Sequence, residues 1–250
     1  MGYHTNPATA FYMALFDVRL GWWMGNSRNP KTWKSTGPPL GLGYLFSEVF
    51  AQSDQQRGYV YLSDGGHFEN LAVYELIRRR CRLIVACDAD ADGAYQFSDL
   101  LSLIEKARTD FGARIEIDFN AIRPADGAHE CPQSWVMGKI YYDSRNANDT
   151  GTLILVKAGM PLRSAAPGDA SVQKLPDDVW RYYEQNATFP HQSTADQWFD
   201  ELQFESYRAL GESIGCHAAD QIAKALDETL ARPKPVGRQS VTEALVELTD

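Results

Sequence analysis

Between residues 59 and 119 the chain alternates short apolar runs with helical periodicity, and this alternation does most to narrow its fold. Tyr59–Leu62 (YVYL) is rich in β-formers and is cut off by Ser-Asp-Gly-Gly. Asn70–Arg80 repeats apolar residues at helical spacing, with Asn70 placed as an N-cap and arginines in the last turn. Leu83–Cys87 (LIVAC) is a continuous apolar run of buried-strand type. Phe97–Phe111 is helical again, with Leu100, Leu101, Ile104 and Ala107 on one face, and Ile115–Phe119 is a third strand. Strand, helix, strand, helix, strand predicts an α/β fold with a mainly parallel sheet flanked by helices.

Outside this stretch the signals are coarser. Ala8–Trp23 is aromatic-rich and reads as the start of a buried helix. Gly25–Gly43 is a Pro- and Gly-rich loop, and Tyr44–Gln52 a short amphipathic helix. Trp135–Tyr142 and Leu153–Lys157 are two further strands, antiparallel across the Ser144–Gly151 turn. The C-terminal region reads as helices over Asp177–Gln185, Thr194–Glu212 and Ala218–Leu230. A linker at 231–239 precedes a last helix over Val241–Leu248. The expected division is a domain over 1–212 and a helical tail over 213–250.

Chemistry concentrates where the first of these strands ends. Asp64-Gly65-Gly66 follows a strand and precedes a helix, the place where α/β folds display catalytic side chains. Glycines let the backbone approach a ligand closely, and an aspartate there can take a proton from a hydroxyl. His67, three residues on, could orient Asp64 or touch a substrate. A second acidic segment, Asp88–Asp99, places Asp88, Asp90 and Asp92 at alternate positions, then Gly93, with Asp99 at the twelfth. That is the ligand spacing of a weak calcium loop, although a strand rather than a helix enters it and the last ligand is not Glu. The alternative for this segment is a solvated strand-to-helix loop.

The string Ser63–Leu71, followed by Tyr74-Glu75-Leu76 and Arg78–Cys81, resembles the second motif of patatin-like phospholipases. The nearest members are bacterial ones resembling the cytosolic phospholipase A group. The resemblance extends to Phe189–Thr194, Asp196-Gln197, Gln203–Arg208, Met1–His4, Asn6-Pro7 and Val18–Trp23, so it covers residues 1 to about 212. It implies a three-layer sandwich and hydrolysis of phospholipids or other lipid esters by a Ser-Asp dyad without a cofactor. In that family a serine in a G-x-S-x-G turn attacks the ester, and the aspartate of the D-G-G motif is its base. Only Asp64, Gly65 and Gly66 carry over. No G-x-S-x-G occurs ahead of Asp64, where the family order places it; the nearest string there, Gly25–Asn29 (GNSRN), lacks the second glycine and has no strand expected before it. In the family order the missing serine and oxyanion loop would precede Met1, so the chain reads as the C-terminal portion of such a domain. The alternative is a catalytically inactive remnant that binds lipid or protein.

Composition limits the partners. A formal net charge of -9 opposes a general nucleic-acid binder. The four cysteines make no C-x-x-C pair and no zinc-ligand spacing. No apolar run reaches the roughly 20 residues that span a bilayer, and no signal-peptide pattern follows Met1. The expectation is a protein of the cytoplasm or a membrane periphery. Trp22, Trp23 and Trp33 suit a lipid interface if they are exposed.

Overall fold

The computed structural model describes residues 21–49, 54–143, 146, 148–163, 175–193, 195–196 and 198–231. It is an α/β protein whose chain divides into two compact units, Met1–Asn70 and Leu71–Asp250.

In the first unit, β1 (Trp22–Gly25) pairs antiparallel with β2 (Tyr59–Leu62), and α1 (Gly41–Val49) lies between them in sequence. The last residues of the segment expected to begin as a helix, Trp22 and Trp23, are thus in a strand, and residues 8–20 lie outside the described residues. Aromatic bulk explains the change. Buried Trp23 packs against Tyr44 and Tyr61 at centroid distances of 4.8 and 5.5 Å, and Tyr44 against Tyr59 at 5.4 Å. A strand presents Trp23 to this cluster and turns Trp22 and Met24 outward. Buried Asn26 staples the following loop by donating to the carbonyls of Gln55 and Arg57 at 2.8 and 2.7 Å. Gly25 is required where the chain crosses itself: a Cβ there would lie 1.7 Å from the Thr32 carbonyl oxygen.

The second unit is built on a four-stranded sheet ordered β3 (Leu83–Asp88), β7 (Thr150–Lys157), β6 (Trp135–Tyr141), β4 (Arg114–Glu116). This corrects the mainly parallel sheet. β3–β7 is parallel, whereas β7–β6 and β6–β4 are antiparallel. The short connection between β6 and β7 allows only a hairpin, so β6 runs against its neighbours. β2, expected in this sheet, pairs with β1 instead. A small parallel pair, β5 (Glu130–Cys131) with β8 (Met160–Pro161), completes the strands.

One face of the sheet packs Ile84, Ala86, Leu153, Leu155, Val136 and Ile140 against α3 (Ser98–Phe111) and α2 (Tyr74–Arg78). α3 buries Leu100, Leu103 and Ala107, while Leu101 is turned outward, one position off the expected stripe. α2 is only five residues long. Asn70 does not cap it: Ala72 takes a left-handed φ of 56°, and Val73 stands at the cap with no side-chain bond. The second cluster gathers Val179, Trp180 and Tyr182 of α4 (Asp177–Gln185) with Phe189, Leu210 and Ile214. α5 (Glu201–Ala231) is one helix of 31 residues. It covers Glu201–Glu212 of the helix expected at Thr194–Glu212 and all of that at Ala218–Leu230, and it passes through the 212/213 boundary. Gln203, Ser206, Leu210, Ile214, Ala218, Ala225 and Thr229 form its buried stripe, which continues across Gly211 and Gly215. The linker beyond Ala231 and the last helix lie outside the described residues. No helix among the described residues is long and apolar enough to cross a membrane.

Candidate functional site

Asp64 stands two residues beyond β2, where the β-run of YVYL meets glycine and the strand cannot continue. Its side chain accepts from the Gly66 backbone N–H at 3.0 Å and caps a single 3-10 turn, Gly65–His67. The His67 and Phe68 N–H groups close that turn on the Asp64 and Gly65 carbonyls at 3.2 and 2.9 Å. Asp64 is exposed, and its Oδ2 has no partner among the described residues. Open space surrounds Gly65; at Gly66 a Cβ would lie 2.4 Å from Asn70 Oδ1. Ser63 Oγ lies 2.5 Å from His67 Nδ1, so His67 is held by the serine before Asp64 and not by Asp64 itself. The turn therefore offers a fixed carboxylate with one oxygen occupied and one open, beside a Ser–His contact. Sequence reasoning missed Ser63, although a serine four residues before a histidine on a tight turn is a readable spacing.

The string Gly25–Asn29 differs from expectation in one respect: β1 does precede it. Its later residues form a turn closed by Asn26, whose Oδ1 accepts from Arg28 N at 3.0 Å and whose carbonyl accepts from Asn29 N at 2.9 Å. No helix begins there, so Ser27 is not on a nucleophile turn.

The Asp88–Asp99 loop holds a cation, but the cation belongs to the chain. Lys157 and Asp88 face each other in the parallel β3–β7 register, at the carboxyl ends of both strands. Lys157 Nζ donates to Asp88 Oδ1 at 2.9 Å and lies 3.7 Å from Asp92 Oδ2, with the Lys157 and Asp88 side chains each 2% exposed. Asp92 also caps the backbone N–H groups of Gln96 and Phe97, both at 2.8 Å. These bonds support the left-handed φ of Tyr95 and Phe97, 49° and 55°. Burial raises the Asp90 carboxyl above its ordinary range, and its hydrogen bond with Asp99 adds to the rise. This arrangement corrects the calcium reading: Asp88 and Asp92 serve an ammonium, and Asp90 and Asp99 bond to each other. Among the described residues no group of three or more His, Cys, Asp or Glu side chains could hold a metal ion.

His191 adjoins this loop. Its Nδ1 lies 3.4 Å from the Asp90 carbonyl oxygen, its ring packs edge-on against Tyr95 at 5.0 Å, and its buried Nε2 has no partner among the described residues. Burial lowers its pKa. The arginine run is largely occupied. Arg78 and Arg79 bind Glu75, whose carboxyl they hold at about 2, and Arg80 pairs with Asp149.

No family model, curated protein or solved structure matches the chain.

Proposed function

We propose that the chain is the aspartate-bearing part of a patatin-like lipid acyl hydrolase, acting on phospholipids or related lipid esters with Asp64 as general base. The observation that carries this reading is the Asp64 turn. A strand ends, an aspartate is fixed by the backbone N–H of the second glycine, and its other oxygen is open to solvent. Such a carboxylate can take the proton of a serine hydroxyl as that hydroxyl attacks an ester. The G-x-S-x-G string that residues 1–250 do contain, Gly211–Gly215 (GESIG), comes after Asp64 and lies within the helix α5 rather than on a strand-to-helix turn, so it does not supply that serine.

The tests separate the parts of the reading. A fluorophosphonate probe is expected to leave the 250-residue chain unlabelled, and labelling would show that it carries its own nucleophile. Reading the coding DNA ahead of Met1 for an in-frame G-x-S-x-G tests where the serine lies. In a protein that carries such a string ahead of Asp64, Asp64→Asn is expected to lower ester hydrolysis by about 10³-fold or more while the thermal melt stays in place. Turnover near wild type in that variant sinks the assignment of Asp64.

A second reading, an inactive lipid-binding remnant, is favoured by the outward face of the β1–β2 sheet. Trp22 and Met24 of β1 register with Leu62 and Val60 of β2, and Trp22, Met24 and Leu62 are exposed. If no upstream serine exists, vesicle co-sedimentation that is lost in Trp22→Ser would support this reading.

A further inference from the structure

β4 ends the four-stranded sheet, and no strand among the described residues pairs on its far side. Its three residues divide cleanly between faces. Ile115 is buried against the core, while Arg114 and Glu116 are exposed on the opposite face and contact each other. In the β6 register, Glu116 lies opposite Lys139 and Arg114 opposite Tyr141, where its guanidinium sits 4.3 Å from the ring centroid. An open groove of about 510 Å³ runs along this edge, lined by Ile104, Ile115, Ile117, Phe119 and Met137 beside Glu116 and Asp118.

We infer that β4 is a self-association edge, joining a second copy of this chain by antiparallel strand pairing centred on Ile115. Charge complementarity selects this occupant. Two antiparallel copies of Arg-Ile-Glu about a two-fold axis place Arg114 of each opposite Glu116 of the other. The ladder Lys139–Glu116 of one copy then continues into Arg114–Tyr141 of its mate, with opposite charges adjacent at the seam. Edge strands that avoid pairing carry charges that clash when the edge meets itself; alternating signs about a central isoleucine do the reverse. The other free edge lacks this property. β3 (LIVACD) carries charge only at Asp88, so antiparallel self-pairing there would match no opposite charges.

Sedimentation velocity on the full chain across the micromolar range tests the inference, with far-UV circular dichroism confirming that each variant is folded. The wild type is expected to dimerise reversibly. Arg114→Glu and Glu116→Arg each bring like charges together twice across the axis, so each alone is expected to weaken dimerisation about tenfold or more. Mixing the two variants sets an edge with two acidic side chains against an edge with two basic ones, and is expected to restore dimers. A wild type that stays monomeric throughout overturns the inference and leaves the edge to a foreign strand. Single variants that dimerise like the wild type, or a mixture that stays monomeric, also overturn it.

Discussion

Replacing Lys157 with methionine should destabilise the second unit far more than any surface ion pair could. Methionine keeps most of the stem volume and removes the charge. Asp88 would then be left with its side chain 2% exposed, keeping only the Asp90 N–H bond to the oxygen that held the ammonium. Stranding one member of a buried pair costs about 3–5 kcal/mol, whereas an exposed pair contributes about 0–1 kcal/mol. Asp88→Asn should cost less, about 1–3 kcal/mol, because Asp92 stays 3.7 Å from the ammonium and the amide oxygen can still accept. The double variant should cost less than the sum of the two, with a coupling of about 1 kcal/mol or more. Urea unfolding of all four proteins measures this cycle, and repeating it in high salt should leave the coupling unchanged, since buried charges are weakly screened. A Lys157→Met cost below about 1 kcal/mol, or a coupling that vanishes in salt, would mean that the pair exchanges with water and that the burial argument is wrong.

Gly25→Ala should destabilise the first unit by about 1–3 kcal/mol, because the new Cβ meets backbone at Thr32 that cannot rotate away; an unchanged near-UV aromatic spectrum and melt would refute the crossing. Burial depresses the folded-state pKa of His191, so its contribution to stability is full above the ordinary imidazole value of about 6.5 and is lost as pH falls through the lower folded value. Urea midpoints at pH 7.5 and 5.5, both chosen about one unit either side of that value, should therefore differ more in the wild type than in His191→Gln; equal differences would remove His191 from the pH dependence. Calcium should leave the melting temperature unchanged, since it would have to displace the Lys157 ammonium from Asp88 and Asp92; a calcium-dependent rise would overturn that view.

What could be read from the chain was what depends on neighbouring residues. LIVAC and LILVK announce β3 and β7 as continuous apolar runs of strand length, although only β7 is covered on both faces and β3 turns Val85 and Cys87 outward. The β6–β7 hairpin follows from the short gap between its strands. Reading failed where the deciding contact was distant. Trp22–Gly25 shows no alternation of its own and becomes a strand because Tyr44, Tyr59 and Tyr61 lie in wait for Trp23. Gly211 and Gly215 suggest a break in the last helix, yet each costs only about 1 kcal/mol and a buried stripe on both sides outweighs them. In the site, the Asp64 turn was legible because strand, aspartate and glycines are contiguous. The partner of Asp88 was not, because it lies 69 residues further on. A lysine closing an apolar run was its one local trace.

Asp64 and Asp88 stand at or just beyond strand ends in opposite surroundings. Both follow apolar β-runs and both precede a glycine-containing turn, so local sequence makes them look alike. Asp88 is buried, and its negative charge is matched by an ammonium at 2.9 Å. Its Oδ1 is held by that ammonium and by the Asp90 N–H, in an interior where breaking a buried pair is costly. Asp64 is exposed, and among the described residues its side chain accepts only from the Gly66 backbone N–H. Asp118, two residues beyond β4, shares the exposed, backbone-bonded setting of Asp64, its side chain accepting from Asn120 N at 3.0 Å; what sets the Asp64 turn apart is its pair of glycines and the Ser63–His67 contact beside it.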